Sequence, residues 1–207
     1  KHIWSFHRIG IFGNPRKTIS MLQTETISPE LLKVLRQLMT MESLATFRLV
    51  GGTALALQLG HRESVDIDLF SSNDFPTDRI CDELEEKYKP EQGIRVTKDL
   101  MIVIKVNGVK VDIVNDKKIF IRDAVVADGI RMASLEEIAA MKIKTTCDPF
   151  SGRKTQKDLA DIATLLEKFT VKEILQFFGE KYPTMSPYKE SVILELNKNY
   201  EQAERNS

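Results

Sequence analysis

At 207 residues the chain can bury a core, as one domain or as a catalytic lobe joined to a helical lobe, without help from disulfides. Thirty basic and thirty acidic side chains cancel, which excludes a whole-molecule attraction to nucleic acid or acidic membrane and leaves only local patches open. Two cysteines, Cys81 and Cys147, lack CxxC spacing and argue against a disulfide framework or zinc cluster; no run reaches the roughly 20 apolar residues of a membrane span, so a soluble cytoplasmic protein is expected, with no membrane partner.

Residues 1–27, punctuated by Gly10, Gly13 and Pro15, read as an N-terminal arm or a short packing element. A helix then starts at Pro29, capped by Ser28, with Leu31, Leu32, Leu35 and Leu38 on its apolar face. Leu49 and Val50 lead into a Gly51-Gly52 turn, and TALALQLG reads as a helix stopped by Gly60. In SVDIDLF the period is two: Val65, Ile67 and Leu69 face one way, Asp66, Asp68 and Phe70 the other, which predicts a strand. A helix over 74–88 follows. Between 94 and 114 a hairpin turning at Asn107-Gly108 is expected, with Val109, Val111 and Ile113 on one face and Lys110, Asp112 and Val114 on the other. Residues 117–132 connect through one or two short strands. Ser134 with Glu137 forms a capping box for a helix to about Thr145, Pro149 and Gly152 mark a loop, and a helix covers 156–169. Thr170 with Glu173 forms a second capping box, and Pro183 and Pro187 precede a final helix. The pattern predicts an α/β (α+β) protein in three parts: an arm at 1–27, a small mixed-sheet core at 28–133 and a helical lobe at 134–207 that completes a cleft.

The strand at 66–70 puts two carboxylates side by side, and Asp112 is an acid amid apolar strand residues, a costly place unless a cation or hydrogen bonds compensate. Carboxylates of this kind hold Mg²⁺ (or Mn²⁺) together with substrate phosphates. Asp66 and Asp68 are assigned as primary metal ligands and Asp112 as the ligand nearest the nucleophile or its general base, with two ions about 4 Å apart. The enzyme reading in this form requires the carboxylates of Asp66, Asp68 and Asp112 to converge within about one metal-coordination shell of each other. Gly51 and Gly52 let backbone approach phosphate at a helix N-terminus, and Thr53 adds a hydroxyl. Downstream, Lys142 or Lys144 would neutralise transferring phosphates, Arg153, Lys154 and Lys157 form a basic cluster for a triphosphate or acceptor, and Asp158 and Asp161 orient those cations or assist the acceptor. His61 reads equally well as a phosphate or base contact and as a polar loop residue. The acids could also line the solvated face of an edge strand, but the preceding glycine turn favours phosphoryl or nucleotidyl transfer.

Taken together, GGTALALQLGHRESVDIDLF, VKVDIVN and KIKTTCDPFSGRKTQKDLADIATLLEKF resemble the AbiEii/AbiGii toxin-type nucleotidyltransferases of the DNA polymerase beta-like superfamily, over roughly residues 28 to 170. The resemblance implies a polymerase beta-like core and metal-dependent transfer of a nucleoside monophosphate from an NTP to an acceptor. It places Gly51, Gly52 and Thr53 at the phosphate turn, Asp66 and Asp68 at the metal pair, Asp112 at the third acidic position, Lys142 (second choice Lys144) at the helix lysine, and Arg153, Lys157, Asp158 and Asp161 in the last motif. It further implies a tRNA or protein acceptor and a toxin of a toxin–antitoxin or phage-defence system with a cognate antitoxin. Two alternatives share the same core: a small-molecule, aminoglycoside-like nucleotidyltransferase, and a catalytically weak nucleotide-binding or partner-binding module.

Overall fold

The computed structural model describes residues 21–73, 76–90, 92–97, 101–147 and 156–188. Most of the N-terminal arm, the loop holding Arg153 and Lys154, and the final helix expected after Pro187 lie outside them. The elements are α1 (Pro29–Met39), β1 (Arg48–Leu49), α2 (Gly51–Leu59), β2 (Asp66–Ser71), α3 (Thr77–Tyr88), β3 (Arg95–Val96), β4 (Met101–Val106), β5 (Val109–Asn115), β6 (Val125–Ala127), β7 (Ile130–Met132), α4 (Leu135–Cys147), α5 (Gln156–Leu166) and α6 (Val171–Lys181). The strands form one mixed sheet in the order β3-β4-β5-β2-β1-β7-β6.

Local signals account for most boundaries. The Ser28 hydroxyl accepts from the Leu31 amide at 3.1 Å, and Leu31, Val34, Leu35 and Leu38 of α1 are buried. The β4–β5 hairpin turns at Asn107 and Gly108, both at positive φ, the backbone that a two-residue turn with matching twist requires. Thr170 and Glu173 make the full reciprocal capping box of α6.

Two expectations need correction. Val65 is 60% exposed, because the β2 ladder begins only at Asp66; the preceding residue Ser64 instead bridges to Ile27. At α4 the Ser134 hydroxyl does accept from the Glu137 amide at 3.2 Å, but the Glu137 carboxylate does not return to the cap. It accepts from the Ile121 amide at 2.7 Å and lies 2.5 Å from Lys181 Nζ, so a partner from α6 has displaced the local bond.

The core runs through both sequence segments. Leu35, Leu55, Ile67 and Val111 belong to the same hydrophobic cluster as Ile138, Ile143, Leu165 and Phe178, and α4 packs on α2, α5 and α6. Lys181 and Glu137 are almost fully buried within it, with Asp116 at 3.4 Å from the same ammonium. Removing one member of a buried pair leaves an uncompensated charge. Lys181→Met is therefore expected to lower unfolding free energy by about 3 kcal/mol or more. Urea denaturation at neutral pH measures it, and a loss below about 1 kcal/mol would show that the pair holds α6 only weakly.

Candidate active site

A cleft of about 520 Å³ opens between the sheet and α4. Its floor is the face of β2 and β5, one end is the start of α2, and its far wall carries Lys142 and Asp158. The floor follows from register. The parallel β2–β5 ladder sets Asp68 opposite Asp112 and Asp66 opposite Lys110, and the two-residue period keeps all four on one face.

The α2 N-terminus has Val50 at its cap position and no capping side chain, and Gly51 and Gly52 line the cleft. Both glycines have reasons visible in the packing. Gly51 sits at φ +68°, and a Cβ there would stand 2.9 Å from Asp68 Oδ2. At Gly52 a Cβ would stand 2.3 Å from Arg62 Nη2. The turn thus brings backbone against one acid and one guanidinium. Thr53 takes a different part from the expected one: it is buried, and its hydroxyl bonds Ser64 Oγ at 2.7 Å and the Asp66 carbonyl. It ties α2 to β2 and does not line the cleft.

Burial first, and then the like charges of Asp112 and Asp66, push the Asp68 carboxyl up to about 6, against the pull of Lys110 and Lys142. Lys110 Nζ lies 2.5 Å from Asp112 Oδ2. Asp112 Oδ1 is buried without a hydrogen-bond partner. Asp66 is exposed at the rim. Among the described residues no three His, Cys, Asp or Glu side chains are gathered into a set able to hold a metal ion, which gives no support to the expected two-ion arrangement on three carboxylates. The donor chemistry nonetheless fits one hard cation. Mg²⁺ is commonly held by one or two carboxylates plus substrate phosphates and not by a full protein cage, and Asp68 with Asp112 offers such a pair with one orphaned oxygen.

The far wall is organised by Asp161, which is fully buried. Its carboxylate accepts from His61 Nε2 at 2.7 Å, from Arg62 Nε at 2.6 Å and Nη2 at 2.9 Å, and lies 2.7 Å from Lys142 Nζ. Burial alone would raise the carboxyl, but the Arg62 hydrogen bond, the Lys142 charge and the remaining bonds bring it down to about 2. Lys142 also donates to Asp158 at 2.8 Å. Asp161 therefore positions cations and is sealed from the cleft, whereas Asp158 and Lys157 line it. Lys144, two residues from Lys142, points elsewhere: its Nζ lies 5.2 Å from the centroid of Tyr182. His61 contacts Asp161 and is not a lining residue. Arg153 lies outside the described residues.

Arg62 and Lys110 line the cleft, and neither is among the site residues expected from the sequence. Lys110 carried a signal, since it shares the period-two face of Asp112; Arg62 carried none until Asp161 was brought beside it.

The sequence profile described as nucleotidyl transferase AbiEii toxin, type IV TA system, matches residues 33–199. The chain belongs to the AbiEii family. It is accordingly a nucleotidyltransferase, as the expected fold and activity class had it. A search of curated proteins finds no match. Among solved structures, the antibiotic-resistance factor ANT(2'')-Ia in solution is 15% identical with a TM-score of 0.53, covering 79% of this chain and 97% of its own. The crystal structure of ANT(2'')-Ia in complex with adenylyl-2''-tobramycin is 16% identical with a TM-score of 0.52, covering 75% and 98%. JHP933 from Helicobacter pylori is 18% identical with a TM-score of 0.48, covering 86% and 97%. At these identities the likeness to ANT(2'')-Ia is one of fold.

Two pH effects follow for this AbiEii member. Asp68 has a folded pKa above the ordinary 3.8, so the folded state binds more protons between about pH 4 and 6 and stability is lost as pH rises through that window. Asp68→Asn is expected to raise unfolding free energy by about 1–3 kcal/mol at pH 8, with the gain fading below pH 4; unchanged melting at pH 8 would contradict the cost of burying this charge beside like charges. Asp161 shifts the other way, so its stabilisation is present above about pH 4 and lost as pH falls toward 2. The stability gap between the wild type and Asp161→Asn should narrow by about 2 kcal/mol over that range, read by denaturation at each pH.

Proposed function

We propose that the cleft transfers a nucleoside monophosphate from an NTP to a hydroxyl acceptor, with one Mg²⁺ or Mn²⁺ held by Asp68 and Asp112. We further propose that the chain serves as the toxin of a toxin–antitoxin pair in the cytoplasm, with transfer RNA or a protein as acceptor. The observation that carries the catalytic part is the register of Asp68 against Asp112, with the orphaned Asp112 Oδ1 in the same cleft as the uncapped α2 N-terminus. Toxin role and antitoxin rest on the family match, and the acceptor class rests only on the resemblance of the sequence motifs.

A bound ion would supply positive charge that draws phosphate oxygens to the two acids and offsets charge at the α-phosphate. The remaining contributions belong to this chain. The free amides at the start of α2 donate to phosphate oxygens. Arg62 has one N–H left on each terminal nitrogen after its bonds to Asp161 and the Glu63 carbonyl. Lys142, with two of its three N–H groups spent on Asp158 and Asp161, keeps one for the departing pyrophosphate. Because Asp161 fixes both cations in advance, little reorganisation is needed as charge develops. Phe70, Met101 and Val114 on the sheet and Ile138 and Met141 on α4 give the cleft apolar walls, suited to a nucleoside and to keeping water from the phosphates. The acceptor hydroxyl gives its proton to water as its oxygen bonds to the α-phosphorus, the bond to the β-phosphate bridge breaks, and pyrophosphate leaves with the electron pair.

Incubation of purified protein with labelled NTPs and Mg²⁺ or Mn²⁺ against total transfer RNA, protein extract and aminoglycosides should place label on RNA or protein. Asp68→Ala is expected to lower that transfer at least about a hundredfold with an unchanged circular dichroism spectrum. Label on aminoglycosides alone would reassign the acceptor to a small molecule. NTP binding without transfer to any acceptor would leave a nucleotide-binding module, and full transfer by Asp68→Ala would remove the acid from the reaction.

A further inference from the structure

Four side chains on the cleft floor form a two-by-two array: Asp66 beside Lys110 and Asp68 beside Asp112, across the parallel β2–β5 ladder. Three corners are acidic. The fourth is an ammonium, and it touches one of the two acids assigned to a cation, Nζ to Asp112 Oδ2 at 2.5 Å. Asp112 itself is 7% exposed and its Oδ1 has no hydrogen-bond partner. Lys110 thus offsets the charge of that carboxylate through Oδ2 and leaves Oδ1 buried without a partner. Its own side chain is half exposed, and the long stem can swing away without disturbing the core.

We propose that Lys110 is a built-in competitor for the divalent cation, holding Asp112 when the cleft is empty and yielding it only when the ion arrives with a triphosphate. The inference rests on the cation assignment to Asp68 and Asp112 made above. An ammonium in contact with Asp112 Oδ2 would repel a divalent ion held by the same acids, so the ion binds more weakly while the ammonium stays in place. A bare ion offers the displaced ammonium nothing in return. A triphosphate brings anionic oxygens that the ammonium can bond instead, so the same exchange becomes favourable. Binding is thereby ordered: free divalent ion weakly, ion with nucleotide tightly, and the acids are kept from trapping stray cations between turnovers.

The test is Mn²⁺ binding without nucleotide, followed by the electron paramagnetic resonance of the free ion at fixed ionic strength. It compares the wild type, Lys110→Met, Asp112→Asn and the double variant, with Lys110→Gln as a second uncharged form should the methionine variant aggregate. The uncharged Lys110 variants are expected to bind free Mn²⁺ at least about tenfold tighter than the wild type. With a non-reactive triphosphate analogue present, that advantage should shrink to about threefold or less. Equal or weaker Mn²⁺ binding by both uncharged variants, with binding lost in Asp112→Asn, would overturn the competitor role and leave the cation assignment standing. Mn²⁺ binding that Asp112→Asn does not alter in either background, or no binding by any form, would overturn the cation assignment itself and the competitor with it.

Discussion

One fully buried carboxylate sets the geometry of the cleft. Asp161 on α5 collects His61 and Arg62 from the segment after α2 and Lys142 from α4. A buried carboxylate surrounded by hydrogen-bonded cations is stable only as a complete set, because removal of any one member leaves charge without compensation in a poorly solvated place. The set therefore locks α2, α4 and α5 in fixed relation. It also leaves Arg62 over Gly52 and Lys142 on the cleft wall, cations held at positions they could not keep by themselves.

Opposite that satisfied cluster lies an unsatisfied one. Asp68, half-buried on the floor, is raised to about 6 by burial and by the neighbouring acids, and Asp112 keeps an oxygen without a partner. The two sides of the cleft are thus electrically unlike: on the wall charge is matched and rigid, while on the floor negative charge is in excess. An arrangement that forfeits stability where ligand is to bind is the ordinary signature of a functional surface. The glycine turn joins the two sides, since Gly51 yields to an acid and Gly52 to a guanidinium.

Much of this is legible in the sequence alone. Period-two alternation located Asp66 and Asp68 on one strand face, Asn107-Gly108 located the hairpin that carries Asp112, and Ser28 and Thr170 marked helix starts. These are local rules, acting over a turn or a few residues. Where they failed, a distant partner outbid a near one. Glu137 left its cap for Lys181 on α6, Thr53 turned from the cleft to Ser64 and the Asp66 carbonyl, and the choice between Lys142 and Lys144 was made by which face of α4 meets Asp161 and which meets Tyr182.

The amino-acid sequence by itself determined the elements, the acidic strand and the family, because backbone periodicity, capping and turn chemistry are written within short windows and the family motifs run in order along the chain. Tertiary structure alone decided which charges meet. That Asp68 stands opposite Asp112 while Lys110 occupies the corner beside Asp66 depends on the register of two strands separated in sequence by α3, β3 and β4. That Asp161 is a buried anchor, and Arg62 a lining cation, depends on α5 closing over the segment after α2. Coulomb interactions follow distance in space, and that distance does not exist until the chain has folded.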